Sequence, residues 1–261
     1  MLEEKKMKTT LMTLTFALAA PFALAAPDAQ TILAGSDAVR NPDKPFGLIV
    51  SLVSYKDGQE NERSALAVYS RADKNSGQFR SLLRFVSPAR DAGKLMLKNG
   101  NDLWFYDPAS KASVPISPQQ RLLGQASNGD VVTVNLALDY TAKLDGEEDI
   151  QDGDRQSQHC YKLHLSARNG GVTYHAIDLW LDKDGYRSRK AKFYSESGSL
   201  LKTAYYRGYR QVLGRERPTE TVIIDGLNPK WVTVMRNSDF AWREVPEAWL
   251  QRDYLPRFRA E

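Results

Sequence analysis

The sequence predicts a mainly β fold with short helices, an α+β chain organised round an antiparallel sheet. Three observations carry that prediction. Phe, Trp and Tyr make up 10% of the 261 residues, and aromatic side chains suit a pleated, half-buried surface. Segments that alternate apolar and polar residues recur along most of the chain, each closed by Gly, Asn, Asp or Pro. Helical spacing, by contrast, is confined to a few short stretches. Hydrophobic residues reach 42%, which is enough for a substantial core.

The first of those stretches is residues 29–40. Asp28 stands as an N-cap, Ile32, Leu33 and Val39 approximate one apolar stripe, and Asn41-Pro42 ends the helix. Strands follow over 47–55, 63–72 and 78–86. In the third, Phe79, Ser81, Leu83 and Phe85 share one face and Arg80 and Arg84 the other, the pattern of a half-exposed antiparallel sheet. Two more strands run through Leu95-Met96-Leu97 and Leu103-Trp104-Phe105-Tyr106, with Asn99-Gly100 turning between them. Residues 109–153 are the least regular part. They contain Pro115, Pro118, Gly124 and Gly129, a helix from Asp130 or Val131 to about Leu138, and an acidic run from Asp145 to Asp154 that reads as a solvated loop. So long a connection is usually functional or carries structure of its own. The second half returns to strands over 158–167, 172–181, 186–194, 201–212, 219–224 and 231–235. A partly helical tail over 244–258 then docks Trp249, Leu250 and Tyr254.

The N-terminus reads as a secretory signal peptide over residues 1–25. Lys5, Lys6 and Lys8 precede an apolar run from Leu11 to Leu24, and Ala23-Leu24-Ala25 is a cleavage pattern. The run is shorter than the roughly 20 apolar residues a membrane span requires, and Pro21 interrupts it. Met7 is an alternative start. The expectation is a single domain over residues 26–261, released into a bacterial periplasm without stable membrane insertion. A net charge of +4, dispersed along the chain, gives no basis for nucleic-acid binding. Cys160 is the only cysteine, so it is expected as a buried thiol with no internal disulfide.

Catalytic chemistry is hard to find. His159, Cys160 and His164 superficially resemble a metal cluster, but on a strand positions 159 and 160 point to opposite faces. The acidic run lacks the register of a calcium loop. No phosphate-cradling glycine loop and no G-x-S-x-G elbow is present. The expectation is therefore a protein with no catalytic residues, no metal and no cofactor, and the reading is of a binding protein rather than an enzyme. About ten strands with so few helices need either closure into a barrel or something to cover a concave face. If short helices cover that face only in part, a lipid-sized apolar cavity remains. Composition leaves core and cavity equally open.

Four motifs in order resemble one family: Ala38-Val39-Arg40-Asn41-Pro42; Leu83-Arg84-Phe85-Val86-Ser87-Pro88 with Gly93-Lys94-Leu95-Met96-Leu97; Leu103-Trp104-Phe105-Tyr106-Asp107-Pro108 running into Ile116-Ser117-Pro118-Gln119-Gln120-Arg121-Leu122-Leu123-Gly124-Gln125; and Val245-Pro246-Glu247 with Tyr254-Leu255. The third is the most specific. Together they resemble the LolA-like superfamily, in its outer membrane lipoprotein-sorting branch. The resemblance implies a strongly curved open antiparallel sheet, an incomplete β-barrel, covered by a helical lid over an apolar cavity. It implies a periplasmic carrier that shields lipoprotein acyl chains on their way to the outer membrane, with an inner-membrane transporter and an outer-membrane acceptor as partners. On that basis the cavity lining is expected at Phe85, Leu95, Leu97, Trp104, Tyr106, Leu163, Leu165, Ile177 and Leu179. Leu103 and Phe105 are the alternative face of the fifth strand. The lid is expected over residues 117–138, with Arg121, Leu122 and Leu123 in it, Gly124 and Gly129 as hinges, and Arg121 holding it through a charge-assisted bond. Two alternatives remain: a binding protein for another lipid, such as a phospholipid or the substrate of a hydrophobe-exporting pump, or a cargo-free envelope interaction protein.

Overall fold

The computed structural model describes residues 28–259; the signal-peptide expectation lies outside them. The chain opens with α1 (Ala29–Arg40), where Asp28 accepts a hydrogen bond from the Thr31 amide at 3.1 Å. Strands β1 (Phe46–Lys56), β2 (Gln59–Ala72), β3 (Phe79–Ser87), β4 (Leu95–Asn99), β5 (Asp102–Asp107) and β6 (Ala112–Pro115) form a first meander. A small hairpin of β7 (Arg121–Leu123) and β8 (Ala126–Ser127) and a short helix α2 (Leu136–Asp139) follow. The second meander is β9 (Tyr140–Gln151), β10 (Ser157–Ala167), β11 (Ala176–Asp182), β12 (Ser188–Tyr194), β13 (Leu200–Val212), β14 (Arg215–Asp225) and β15 (Trp231–Trp242).

The two meanders become one 13-stranded sheet because β1, the first strand, pairs antiparallel with β15, the last. Its edges are β6 and β9, so it is open and not closed into a barrel. It curls strongly: the β10–β11 turn reaches the β4–β5 turn, and a Cβ on Gly171 would press on the Asn101 side chain. The inner face carries Val50, Leu52, Leu66, Val68, Leu83, Met96, Leu163, Ile177 and Ile223, all buried in one cluster with Ile32 and Leu33 of α1. The outer face of the first meander carries a second cluster, in which Ala67, Tyr69, Leu82 and Leu97 are covered by Val245, Leu250, Leu255 and Phe258 of the tail.

Two expectations need correction here, and a third, the partly helical tail, is met. The acidic run is not a loop: it belongs largely to β9, which pairs with β10 from Tyr140–Ala167 to Gln151–Ser157. An edge strand can carry charge on its exposed positions, and charge there discourages pairing with another chain. The helix expected from residue 130 to 138 is replaced by a 3₁₀ turn at Asn128–Asp130 and the single turn of α2. Leu136 to Asp139 lie between segments whose backbone is held by side chains from α1, so helical propensity never decides the outcome. The tail forms two 3₁₀ turns, Glu247–Leu250 and Arg252–Arg257, with Pro256 inside the second; there Trp249, Leu250 and Tyr254 do pack on the sheet.

Candidate functional site: a lidded apolar cavity

The segment between β6 and β9 crosses the inner face as a lid. It has little secondary structure, so its backbone groups must find partners elsewhere, and α1 and the sheet supply them. From α1, Gln30 donates to the carbonyls of Ala137 (2.8 Å) and Tyr140 (3.1 Å) and accepts from the Ala142 amide; Asp37 accepts from the Ala137 amide; Asn41 donates to the Val134 carbonyl. From the sheet, the Thr233 hydroxyl accepts the Gln125 amide at 2.7 Å.

The firmest attachment is a buried ion pair. Lys202 of β13 lies 2.5 Å from Asp130 of the lid, with side chains only 4% and 11% exposed. Lys202 also donates to the Gln125 carbonyl at 2.8 Å. Asp130 accepts in addition from the Ser127 amide (2.7 Å) and the Tyr174 hydroxyl (2.6 Å). Burial first, and the neighbouring Asp130 charge second, push the Tyr174 pKa well up, so the phenol stays a donor at all working pH. A buried charge of either sign is tolerable only when paired and hydrogen-bonded; here both conditions are met. The Lys202 ammonium also sits over the rings of Tyr174 (4.9 Å) and Phe193 (5.8 Å).

Between lid and sheet lies a cavity of 210 Å³. Its apolar walls are Leu48, Val50 and Val68 from the first meander, Ile177, Leu179, Phe193, Ile223 and Met235 from the second, and Val131, Val132 and Leu136 from the lid. Arg40, Asn41, Tyr206, Arg217 and Asn237 also line it.

Of the residues expected to line it, Ile177 and Leu179 do so. Phe85, Leu163 and Leu165 are on the inner face but packed into the core beside the cavity, Phe85 edge-on to Phe105 at 6.0 Å. Leu95, Leu97, Trp104 and Tyr106 are on the other side of the sheet, under the tail. Register explains the correction. Leu83 pairs with Met96 and Met96 with Phe105, while Leu97 pairs with Trp104 and Leu95 with Tyr106; paired residues share a face, so the face of Leu83 and Phe85 continues through Met96 to Leu103 and Phe105. Leu103 is the β5 residue that reaches the cavity.

In the lid, Leu122 and Leu123 pack against the inner core. Arg121 is exposed and reaches only Gln125, within the lid, at 3.4 Å; the charge-assisted attachment belongs to Lys202 and Asp130. Gly124 and Gly129 are close-contact positions rather than open hinges. A Cβ on Gly124 would overlap Thr233 and Ser54, and one on Gly129 would overlap Thr173; Gly124 also has φ +55°. Sequence reasoning missed Lys202, yet its signal was present. Lys202 shares strand parity with Ala204 and Tyr206, and a lysine at an inward position is anomalous unless it has a partner.

Elsewhere, His159 lies on the surface between Asp149 (2.7 Å) and Glu147 (2.8 Å), while Cys160 is buried with Ile150 and Trp180. Burial pushes the Cys160 thiol up to about 11, so it is a poor nucleophile. Among the described residues, Asp145, His164 and Asp178 bring possible metal-ligand atoms within 4.8 Å of one another, a different set from the His159–Cys160–His164 grouping. No described helix is long and apolar enough to cross a membrane.

An open, curled antiparallel sheet with an apolar cavity under a lid of irregular chain defines a class of lidded half-barrels. A family model for an uncharacterized protein family matches residues 77–257. A LolA superfamily protein from Nitrosomonas europaea is 32% identical, with 88% of this chain and 100% of that one covered and a TM-score of 0.78. The chain belongs to the LolA superfamily. Its fold is shared by a domain from Vibrio parahaemolyticus described as an outer membrane lipoprotein-sorting protein, at 20% identity, coverage of 88% and 98% and TM-score 0.74. It is shared too by a DUF1329 family protein from Desulfovibrio piger, at 21% identity, coverage of 87% and 97% and TM-score 0.73. No curated protein matches the sequence.

Proposed function

We propose that this protein is an exported, non-enzymatic carrier that shields acyl chains in the cavity between its sheet and its lid. It would work in the periplasm after cleavage of residues 1–25, and its cargo would be the acyl chains of lipoproteins moving towards the outer membrane. The observation that carries the reading is the cavity itself: apolar walls from both meanders, under a lid held by side chains rather than by its own secondary structure. Each buried CH₂ contributes roughly 0.8 kcal/mol, so acyl chains need such a shield to cross water, and the carrier must open to release them. An inner-membrane donor and an outer-membrane acceptor are the partners this role requires.

One observation favours a second cargo. The cavity, at 210 Å³, is smaller than the roughly 300–1,000 Å³ of ordinary ligand sites, which suits a single-chain lipid better than a triacylated one. Mass spectrometry of organic extracts from protein purified out of the periplasm tests both. A triacylated peptide supports lipoprotein transfer and a simpler lipid the second cargo. Extracts that stay empty, with no uptake of a fluorescent fatty acid, would overturn the carrier reading.

A further inference from the structure

The cavity wall carries polar groups that the acyl-chain reading does not use. Arg217 of β14 lines it together with Thr221 and Ile223 and is only 3% exposed. Its Nη1 donates to the carbonyls of Val212 and Leu213, and its Nη2 to that of Asn41 at 3.4 Å. Its Nε is buried and has no hydrogen-bond partner among the described residues. No carboxylate lies within ion-pair distance of it among those residues, whereas the other buried charges are paired: Asp37 with Arg40, Arg80 with Glu247, Asp152 and Asp182 with Arg189, and Lys202 with Asp130. Arg80 and Arg84 also have an unpartnered Nε, but the Arg80 charge is met by Glu247, and Arg84 is only half-buried and does not line the cavity. Burial lowers the Arg217 pKa, and the neighbouring Arg215 charge adds to the effect; Asp43, beyond ion-pair distance, opposes it only in part. A buried cation without a counter-charge is costly, and here it lines the cavity.

Two further polar groups line the same cavity. Tyr206 of β13 and Asn237 of β15 are both on its wall, and neither side chain makes a hydrogen bond among the described residues. Of the other charged groups on the wall, Arg40 is paired with Asp37 and Lys202 with Asp130, while Lys98 donates to the carbonyls of Phe79 and Gly100.

We propose that Arg217, with Tyr206 and Asn237, binds the acidic oxyanion head of a single-chain amphiphile whose tail fills the apolar part of the cavity. The head is a carboxylate or a phosphate, and the missing counter-charge of Arg217 is supplied by the ligand. This rests on the acyl-chain reading of the cavity and narrows its cargo to an acidic lipid.

The test is binding of hexadecanoate, hexadecyl phosphate and hexadecanol, each displacing a fluorescent fatty acid, with acetate and inorganic phosphate as headgroup-only probes. The acids should bind tighter than the alcohol by about tenfold to a hundredfold, the worth of a hydrogen bond to a charged group, and the preferred acid identifies the head. Arg217→Gln should remove that preference and leave hexadecanol binding within about twofold. Tyr206→Phe, which keeps the ring, should reduce the preference even if Arg217→Gln fails to fold. Carboxyl-labelled hexadecanoate followed by ¹³C NMR reads the same site in the unaltered protein, and its head should stay ionised below the pH at which the free acid protonates. Equal binding of acid and alcohol, or a carboxyl that titrates like the free acid, would overturn the head-group site and leave the carrier reading standing. Acetate or phosphate binding as tightly as the lipids would show an anion site without a tail and overturn the proposal. Failure of every long-chain probe to bind would overturn both readings.

Discussion

Lys202 and Asp130 are 72 residues apart and join the segment between β6 and β9 to the sheet. Each is buried, and each is the other's counter-charge. Removing one partner leaves the other charged and buried, a change that typically costs about 3–5 kcal/mol. Lys202→Met should therefore lower the free energy of unfolding by that amount, read as a lower urea midpoint at unchanged slope. A much smaller loss would mean that water already reaches the pair. Asp182, at the end of β11, has a different role. It accepts from the Gly185 and Arg187 amides and from the Arg187 and Arg189 guanidinium groups. Burial by itself raises its pKa, but the hydrogen bonds from Arg187 and Arg189 outweigh burial and hold it below the ordinary value. A carboxyl depressed in the folded state contributes stability above its unfolded pKa, about 3.9. That contribution fades as pH falls through this value towards the folded pKa. Thermal unfolding of Asp182→Asn should accordingly lie well below wild type at neutral pH, with the gap closing as pH falls below about 4. A gap independent of pH would assign the loss to packing.

At the scale of elements, β4 and β5 show why the two faces of a sheet are hard to tell apart from sequence. Leu95, Met96 and Leu97 are all buried, so alternation carries no signal there. The outer face is apolar because the tail covers it, and the tail is about 140 residues further on. Tertiary cover therefore removed the polar residues that would have marked the outside. The faces separate sharply under substitution. Leu97→Trp overpacks the outer cluster and should cost about 1–3 kcal/mol with ligand affinity per folded molecule unchanged. Leu179→Trp projects into the cavity and should abolish fatty-acid binding at a smaller cost in stability. Denaturation and binding measured on both variants check this, and a binding defect confined to Leu97→Trp would reverse the assignment of faces. By contrast α1 was legible to its last residue, because its Asp28 cap and the Asn41-Pro42 stop are local signals.

At the scale of the molecule, two meanders form one sheet through the pairing of β1 with β15, and the lid is the chain between them. The cavity volume of 210 Å³ lies below that of ordinary ligand sites, so the proposed uptake involves movement of the lid. The attachments are discrete: the Lys202–Asp130 pair, the Gln125–Thr233 hydrogen bond, and the α1 contacts to residues 134–142. Weakening one without removing a charge should speed opening. Thr233→Val leaves the Gln125 amide without its acceptor, at a cost of about 1–3 kcal/mol, and stopped-flow uptake of a fluorescent fatty acid should be faster than in wild type. An unchanged rate would place the opening movement at the α1 side of the lid.

The amino-acid sequence by itself determined the β-rich class, most strand positions, the first helix and the buried state of Cys160. These follow from alternation, caps and turn residues, which act over a few positions. The tertiary structure decided which face of β4 and β5 looks inward, that the acidic run is an edge strand, and that Lys202 rather than Arg121 holds the lid. It also left Arg217 as a buried charge with no carboxylate in ion-pair distance among the described residues. All of these depend on pairing register and on partners tens to hundreds of residues away, and burial gives a charge its cost only once those partners are in place.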